Sequence, residues 1–193
     1  PCRAALSLGF RRQALNQLTI DLQPTLIGGV IRLRPLEAAD FEALYQVASD
    51  PQIWALHPDS ERYKRDIFKA RYFDGALASH GALAILEKAS GRIIGSSRYY
   101  EWNPDANAIA IGYTFIERNH WGTGTNRELK QLMLAHIFQW VATVWLHVGK
   151  INLRSRRAVE KLGATLSYEQ ERELEGKPYT QLYYKLEAAT FGA

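Results

Sequence analysis

The chain has 193 residues, of which 47% are hydrophobic and 23% are charged, and it carries a formal net charge of +4. These values are typical of one globular domain with a sizeable core, and they exclude a largely disordered chain. Nucleic-acid binding would need a dense basic patch with stacking aromatic side chains, and the sequence has no continuous stretch of this kind.

The ends of the chain and its single cysteine bear on location. Residues 1–17 lack the apolar run of a signal peptide, so we expect an irregular extension, one domain over 18–187 and a tail over 188–193. Cys2 cannot form an internal disulfide, and no Cys/His cluster has zinc spacing. The apolar run 132–148 changes from helical to alternating periodicity, which predicts a helix and then a strand. We therefore expect a cytoplasmic protein without a metal or a membrane partner.

The first half of the chain is predicted to contain two hairpins separated by two helices. The first hairpin turns at Gly28–Gly29. A helix from Phe41 ends before Asp50–Pro51, because the residue before proline is pushed out of the α region. Asp59 or Ser60 caps a second helix that runs to Ser79. The predicted strands are 18–22, 30–34, 82–87 and 92–102.

A strand, a glycine turn and an amphipathic helix follow one another between Ile109 and Ile137. The strand alternates, with Ile109, Ile111, Tyr113 and Phe115 on one face. In the turn, two glycines remove the Cβ atoms that would keep a ligand away from the backbone. The predicted inner face of the helix carries Leu129, Leu132, Met133, His136, Ile137 and Trp140.

This junction predicts an anion site, because the first N–H groups of a helix have no internal partner. A plain tight connection explains the spacing equally well. The turn is not a Walker A loop, since no Gly-Lys-Ser/Thr follows, and it is not G-x-G-x-x-G, since Arg127 holds the third glycine position.

The last part of the chain is predicted to form a strand, a helix and a hairpin. Residues 144–148 alternate, Asn152 caps a helix that Gly163 closes, and strands 165–173 and 178–187 flank a turn. The order of elements predicts an α+β fold with a mixed, mostly antiparallel sheet flanked by helices.

Two segments together resemble the GCN5-related N-acetyltransferases (GNAT), and within them the RimJ/RimL-like branch that acetylates protein N-termini and small amines. They are the strand and turn up to Asn126 and the run NLRSRRAVEKLGA over 152–164. The family turn reads Arg/Gln-Gly-x-Gly-x-Gly/Ala. Trp121 holds its first place, and Asn126 departs from the small residue usual at its last place.

The resemblance covers roughly residues 30–186 and implies a GNAT-type sheet with a split between its central strands. It also implies acetyl-CoA as co-substrate and an amine as acceptor, and it leaves a homodimer open. Backbone groups of Phe115, Ile116 and Glu117 would pair with the cofactor at the split. The other implied cofactor-binding residues are Trp121, Gly122, Thr123, Gly124, Thr125, Asn126, Arg127, Asn152, Ser155 and Arg157.

Four arginines, Arg127, Arg154, Arg156 and Arg157, flank the starts of the two helices. Positive charge is unfavourable at a helix N-terminus, so an anion such as the phosphates of CoA would explain them. A solvated helix face explains any single one equally well.

By resemblance, Ser155 is the catalytic proton donor, because Val159 holds the position where many family members have a tyrosine. Simple helix capping by Asn152 and Ser155 is the alternative. Ala110 replaces the usual strand glutamate, which leaves Glu101 and Glu173 as catalytic-base candidates, although both are also ordinary surface carboxylates.

Other side chains are weaker candidates. His120, beside the turn, could be a base, a phosphate contact or a structural histidine. Several aromatic residues could line an acceptor pocket or belong to the core: Trp54, His57, Tyr72, Tyr99, Tyr100 and Trp102.

The leading hypothesis is an acetyl-CoA-dependent N-acetyltransferase that acts on a primary amine by direct attack in a ternary complex. The missing tyrosine and strand glutamate keep a catalytically impaired CoA-binding sensor as the alternative. A basic nucleic-acid-binding module is a third, which the glycine junction argues against.

Overall fold

The computed structural model describes residues 20–191. One eight-stranded sheet has the order β1-β2-β3-β4-β5-β6-β8-β7, and all neighbours are antiparallel except β5 and β6. The predicted mixed, mostly antiparallel sheet flanked by helices is confirmed. The strands are β1 (Leu26–Ile27), β2 (Ile31–Pro35), β3 (Ala82–Glu87), β4 (Ile93–Asn103), β5 (Ala108–Ile116), β6 (Thr143–Gly149), β7 (Thr165–Leu174) and β8 (Lys177–Glu187).

Helices cover both faces of this sheet. One face packs on an aromatic core that includes Trp54 and Phe68, and the other packs on an aliphatic core that includes Leu129 and Val159. The first face carries α1 (Phe41–Ala48), α2 (Pro51–Trp54), α3 (Arg65–Phe68) and α4 (Asp74–Ala78), and the second carries α5 (Thr125–Ile137) and α6 (Leu153–Glu160). No helix in the described part of the chain is both long and apolar enough to cross a membrane.

The first predicted strand was wrong where it can be compared. Residues 18 and 19 lie outside the described residues, as does the predicted extension 1–17. Residues 20–22 do not pair with another strand. The hairpin at Gly28–Gly29 is present, but its first strand begins only at Leu26. Pro24 lacks a backbone N–H and cannot donate to a ladder, which explains the late start.

The predicted long helix ending at Ser79 is interrupted. Lys64 has extended backbone angles, φ −79° and ψ 132°, so a 3₁₀ turn (Ser60–Tyr63) and α3 are separate. A π turn over Lys69–Phe73 then joins α3 to α4. The short helix α2 was not predicted, although Asp50 caps it by accepting a hydrogen bond from the Gln52 N–H at 2.9 Å.

The uninterrupted alternation predicted for β5 was also wrong. Tyr113 has φ 52°, and the pairing with β4 shifts between Ser96 and Arg98. This bulge adds one residue and reverses the faces of all later side chains. Ile111 therefore lies in the aliphatic core, whereas Phe115 lies on the opposite face against Trp54.

The inner face of α5 differs from the predicted one at three positions. Lys130 and Leu134 are buried against the sheet, whereas His136 is partly exposed and its Nε2 is 2.7 Å from the Asp21 carbonyl oxygen. A lysine within an apolar stripe is ordinarily read as a solvated residue, and only the packing reveals its burial.

Candidate active site

The two central parallel strands separate beyond their first residues. β5 and β6 pair only from Ala108–Thr143 to Ala110–Trp145, and they diverge towards their carboxyl ends. α5 and α6 begin just after these ends, at Thr125 and Leu153. Because helices that follow parallel strands start at the same edge of a sheet, both helix N-termini lie beside the mouth of the split.

The backbone of β5 offers fewer free groups than we expected. The Glu117 N–H donates to the Ile94 carbonyl at 2.7 Å, and the Glu117 carbonyl accepts from the His120 N–H at 3.0 Å. Backbone groups alternate in direction along a strand, so Phe115, which pairs with Ser96, also points towards β4. Of the three predicted residues, Ile116 is the one whose N–H points into the split.

A bulge at Tyr113 forms one wall of the split. The Tyr72 hydroxyl donates to the Tyr113 carbonyl at 2.6 Å, and the Arg98 guanidinium lies 3.8 Å from the centre of the Tyr113 ring. Behind the bulge, the buried Lys130 ammonium donates to the Thr114 hydroxyl at 2.7 Å. Tertiary contacts from two helical segments and one strand therefore hold this irregular segment in place.

The glycine turn leaves its backbone accessible. Gly122 and Gly124 have φ 76° and 93°, and a Cβ at either position would point into open space. Gly124 is also the residue that caps α5. Uncovered backbone at the start of a 13-residue helix can receive an anion such as a pyrophosphate.

The turn and α6 are joined by direct contacts. The Arg154 guanidinium lies 3.8 Å from the centre of a Trp121 ring and donates to the Ile53 carbonyl at 3.1 Å. The Trp121 indole N–H in turn donates to the Ile116 carbonyl at 2.9 Å. Burial lowers the pKa of Arg154. The two sequence motifs of the resemblance are thus brought together in space.

The remaining predicted residues around the turn differ in their exposure and in their hydrogen-bond partners. Arg127 and Arg157 are exposed, and neither forms an ion pair within residues 20–191. Arg156 points away from the turn, because it donates to the Tyr184 hydroxyl and the Lys150 carbonyl. The Thr123 hydroxyl binds the His120 carbonyl at 2.8 Å and lies 2.8 Å from the Thr125 hydroxyl. Asn126 is half-buried.

Ser155 lies in the first turn of α6. Its backbone N–H donates to the Asn152 Oδ1 at 3.1 Å, which confirms that Asn152 caps the helix. This cap uses the serine backbone and leaves its hydroxyl without a hydrogen bond among the described residues.

On the other side of the split, a titratable cluster forms around His147, which the sequence analysis did not identify. The His147 Nδ1 lies 3.0 Å from the Tyr100 hydroxyl and 3.9 Å from a Glu101 carboxylate oxygen. Burial, and to a smaller extent the charge of Arg172, lowers the pKa of His147 to about 4. Histidine is therefore neutral here at pH 7. In the sequence, the position of His147 between apolar residues of β6 was the signal that could have identified it.

Two other predicted base candidates lie elsewhere. Glu173 pairs across the β7–β8 hairpin with Pro178, and no hydrogen bond or ion pair among residues 20–191 connects it to His147. His120 lies 3.6 Å from Glu117 and 3.8 Å from Glu87, on the far side of the glycine turn.

The predicted aromatic candidates divide between core and split. Trp54 and Tyr72 are buried in the aromatic core. Tyr99 lies on the opposite face of the sheet, where its hydroxyl donates to the Met133 carbonyl at 2.7 Å. His57 is half-buried beside Arg62, and desolvation lowers its pKa to about 3. Tyr100 and Trp102 reach the side of the split that carries His147.

Comparison with known proteins identifies the architecture. The family model described as "Acetyltransferase (GNAT) domain" matches residues 31–165. A GCN5-related N-acetyltransferase from Brucella melitensis is 20% identical, with a TM-score of 0.76 over 86% of this chain and 80% of that one. A GNAT-family acetyltransferase from Bacillus anthracis is 16% identical, with a TM-score of 0.68 over 86% and 99%.

A third solved structure has a more specific description. RimL, a ribosomal L7/L12 α-N-protein acetyltransferase in complex with coenzyme A, is 14% identical, with a TM-score of 0.71 over 85% of this chain and 98% of that one. At these identities the neighbours show the fold, and the family model, which spans more than half of the chain, shows the family. The chain therefore belongs to the GNAT acetyltransferase family and is an N-acetyltransferase.

Proposed function

We propose that this chain transfers the acetyl group of acetyl-CoA to a primary amine, either a protein N-terminus or a small amine, by direct attack in a ternary complex. The observation that carries the proposal is the open glycine turn at the start of α5, beside the split between β5 and β6. The likeness to RimL supports the RimJ/RimL-like branch, and we propose 18–187 as the extent of the domain.

Residues on the helix side of the split fit acetyl-CoA, which supplies an activated thioester when it is bound. The backbone of the turn is uncovered at Gly122 and Gly124, where an added Cβ meets open space, as a pyrophosphate site requires. The exposed guanidinium groups of Arg127 and Arg157 supply positive charge next to it. Asn152 and Ser155 complete this side through the start of α6.

Acetyl transfer needs an oxyanion donor, a base and an acid. We assign the Ile116 N–H to the carbonyl oxygen, where negative charge develops as the amine nitrogen bonds to the thioester carbon. The cluster of His147 and Glu101 takes the proton that the nitrogen loses. The Ser155 hydroxyl gives a proton to the sulfur as the C–S bond breaks.

His147 suits the base role in one respect and limits it in another. Its imidazole is neutral at pH 7 and can accept a proton, while the carboxylate of Glu101 at 3.9 Å stabilises the imidazolium that forms. A lowered pKa also makes it a weak base, so the amine must enter the split largely neutral.

One observation favours the sensor as a second candidate. Val159 and Ala110, which hold the positions of the family's usual tyrosine and glutamate, are both buried and cannot transfer a proton. A protein of this kind would bind CoA without turning it over.

A thiol-release assay distinguishes the two candidates. We expect the full chain to release free CoA from acetyl-CoA when a panel of primary amines and N-terminal peptides is supplied. Ser155→Ala should lower kcat by roughly 10²-fold, the usual contribution of one proton donor. Ser167→Ala, on the exposed strand β7, is the matched control. Tight CoA binding without turnover on any amine of the panel would instead identify a sensor.

A further inference from the structure

An aromatic pocket adjoins the split on the sheet face opposite α5. Its volume is about 420 Å³, which is typical of small-molecule sites. Trp145 and His147 contribute to it from β6, and they alternate with Val144 and Leu146, which face the aliphatic core. The side chains that matter most are Glu101, Trp102, Trp145, His147, Tyr168 and Tyr183.

A continuous series of rings connects this pocket to the bulge of β5. Tyr168 stacks on Tyr183 with ring centres 4.3 Å apart, and Tyr183 lies 4.4 Å from the ring of His147. The ring centre of Tyr100 lies 5.6 Å from that of His147, and the ring centre of Tyr113 lies 5.0 Å from that of Tyr100. A guest seated in this pocket therefore contacts His147, the proposed base.

The charge of the pocket is small and negative. Glu101 is the one carboxylate among the described residues that line it, and His147 is neutral at pH 7. The charge of Arg172 helps to lower the pKa of His147, and it opposes the rise that burial causes in the pKa of Tyr183. One positive charge is therefore favoured near Glu101, and the lining offers no second carboxylate to pair with another.

Much of the aromatic surface is also uncovered. Trp102 is 38% exposed and Tyr168 is 48% exposed, although both are large apolar side chains. Exposed aromatic surface around a concave site marks a place where a ligand with a flat apolar surface gains most from leaving water.

We propose that this pocket selects aralkylamines, that is, acceptors that carry a single primary amine on a short alkyl chain attached to an aromatic ring. The inference rests on the proposed function and narrows its acceptor class. Ring faces bind the aromatic body, and Glu101 attracts the ammonium group on entry. A polyamine would bring a second ammonium group for which the pocket has no carboxylate partner. A peptide with a small N-terminal side chain would leave these ring faces uncovered.

Steady-state acetylation by the full chain tests this selectivity. The acceptors are 2-phenylethylamine, tryptamine, hexylamine, spermidine and a peptide with an N-terminal serine. We expect kcat/KM to be at least about tenfold higher for the two aralkylamines, since each ring contact adds binding free energy that an alkyl chain does not match. A preference for spermidine or the peptide would overturn the inference and leave the proposed function intact.

Tyr168→Ala locates the effect in the pocket. Because Tyr168 lies on an exposed strand, the variant should fold, raise KM for 2-phenylethylamine about tenfold and leave KM for acetyl-CoA unchanged. Leu166→Ala is the matched control, since Leu166 is 51% exposed on the same strand and pairs with Tyr184, which faces the aliphatic core. An unchanged KM in Tyr168→Ala would overturn the inference.

A binding measurement separates failure of the inference from failure of the proposed function. If no amine is acetylated, calorimetric titration of 2-phenylethylamine into the CoA-saturated protein decides between them. Binding that Tyr168→Ala weakens would support the pocket while the proposed function fails. Absence of binding would overturn the pocket as well.

Discussion

Lys130 is a buried lysine behind the β5 bulge. Its ammonium group contacts the hydroxyls of Thr114 at 2.7 Å and Ser97 at 3.5 Å, and no ion pair within residues 20–191 neutralises it. Burial lowers its pKa from 10.5 to about 7. Hydrogen bonds to hydroxyl groups therefore replace only part of the hydration that the ammonium group loses.

Replacing this lysine should stabilise the protein in a pH-dependent manner. Between pH 7 and 10.5 the unfolded chain keeps the proton that the folded state releases, so the free energy of unfolding rises with pH across this window. At about 1.4 kcal/mol per pKa unit, less the lost hydrogen bonds, Lys130→Met should add roughly 2–4 kcal/mol at pH 7. Little gain should remain at pH 10.5.

Urea unfolding at pH 7 and pH 10 measures this difference. Lys150→Met serves as the control, because Lys150 is exposed and pairs with Glu169 at 3.0 Å. A loss of stability in Lys130→Met at pH 7 would show that the hydrogen bonds outweigh the burial of the charge.

Among single residues, His147 is the one on which the proposed catalysis depends most. His147→Gln keeps a polar side chain but removes the proton acceptor, so we expect kcat to fall by roughly 10²-fold while KM for acetyl-CoA is unchanged. Stopped assays at saturating acetyl-CoA measure kcat. His80→Asn, in the exposed turn before β3, is the control. An unaltered kcat would remove His147 from the mechanism.

Among the elements, α5 and its glycine turn are the pair that the sequence described best. The spacing of two glycines before an apolar-periodic run depends on local backbone geometry, and local geometry leaves a readable pattern. β5 was described less well. Its bulge at Tyr113 depends on partners from other elements, including Tyr72 and Arg98, and these contacts leave no periodic trace.

The glycine turn can be tested with two matched glycines. Gly124 has φ 93° and Gly91, in the β3–β4 turn, has φ 71°, and an added Cβ meets open space at both. Alanine should therefore destabilise each by about 1 kcal/mol through backbone strain. Gly124→Ala should in addition raise KM for acetyl-CoA about tenfold, because its Cβ occupies the proposed pyrophosphate site.

Parallel thermal unfolding and acetyl-CoA titrations of the two variants separate strain from ligand contact. Equal KM values would show that the start of α5 does not bind the cofactor.

At the scale of the whole molecule, two helix layers and one sheet depend on a few long-range contacts. Glu128 in the first turn of α5 accepts hydrogen bonds from the backbone N–H groups of Gly29 and Val30, about a hundred residues earlier in the chain. This contact fastens the first hairpin to the helix that forms the proposed cofactor site.

Removing this contact should weaken the fold measurably. We expect Glu128→Ala to lower the free energy of unfolding by about 1–3 kcal/mol, since charged acceptors of backbone N–H groups contribute in this range. Glu61→Ala, which removes an exposed ion pair with Lys64, should change it by less than about 0.5 kcal/mol. Denaturant melts of both variants at pH 7 give the comparison, and equal losses would contradict it.

The fold class, the glycine turn and the capped start of α6 were readable from the sequence, because periodicity, glycine and capping residues act over a few neighbouring positions. The reversal of faces at Tyr113 and the cluster around His147 were not readable, and the split between β5 and β6 was expected only from the resemblance to the GNAT family. Each of these depends on which strands and helices meet in space, and such contacts join residues far apart in the chain. Glu101 shows the difference clearly: in the sequence it is one surface carboxylate among many, and folding places it 3.9 Å from His147.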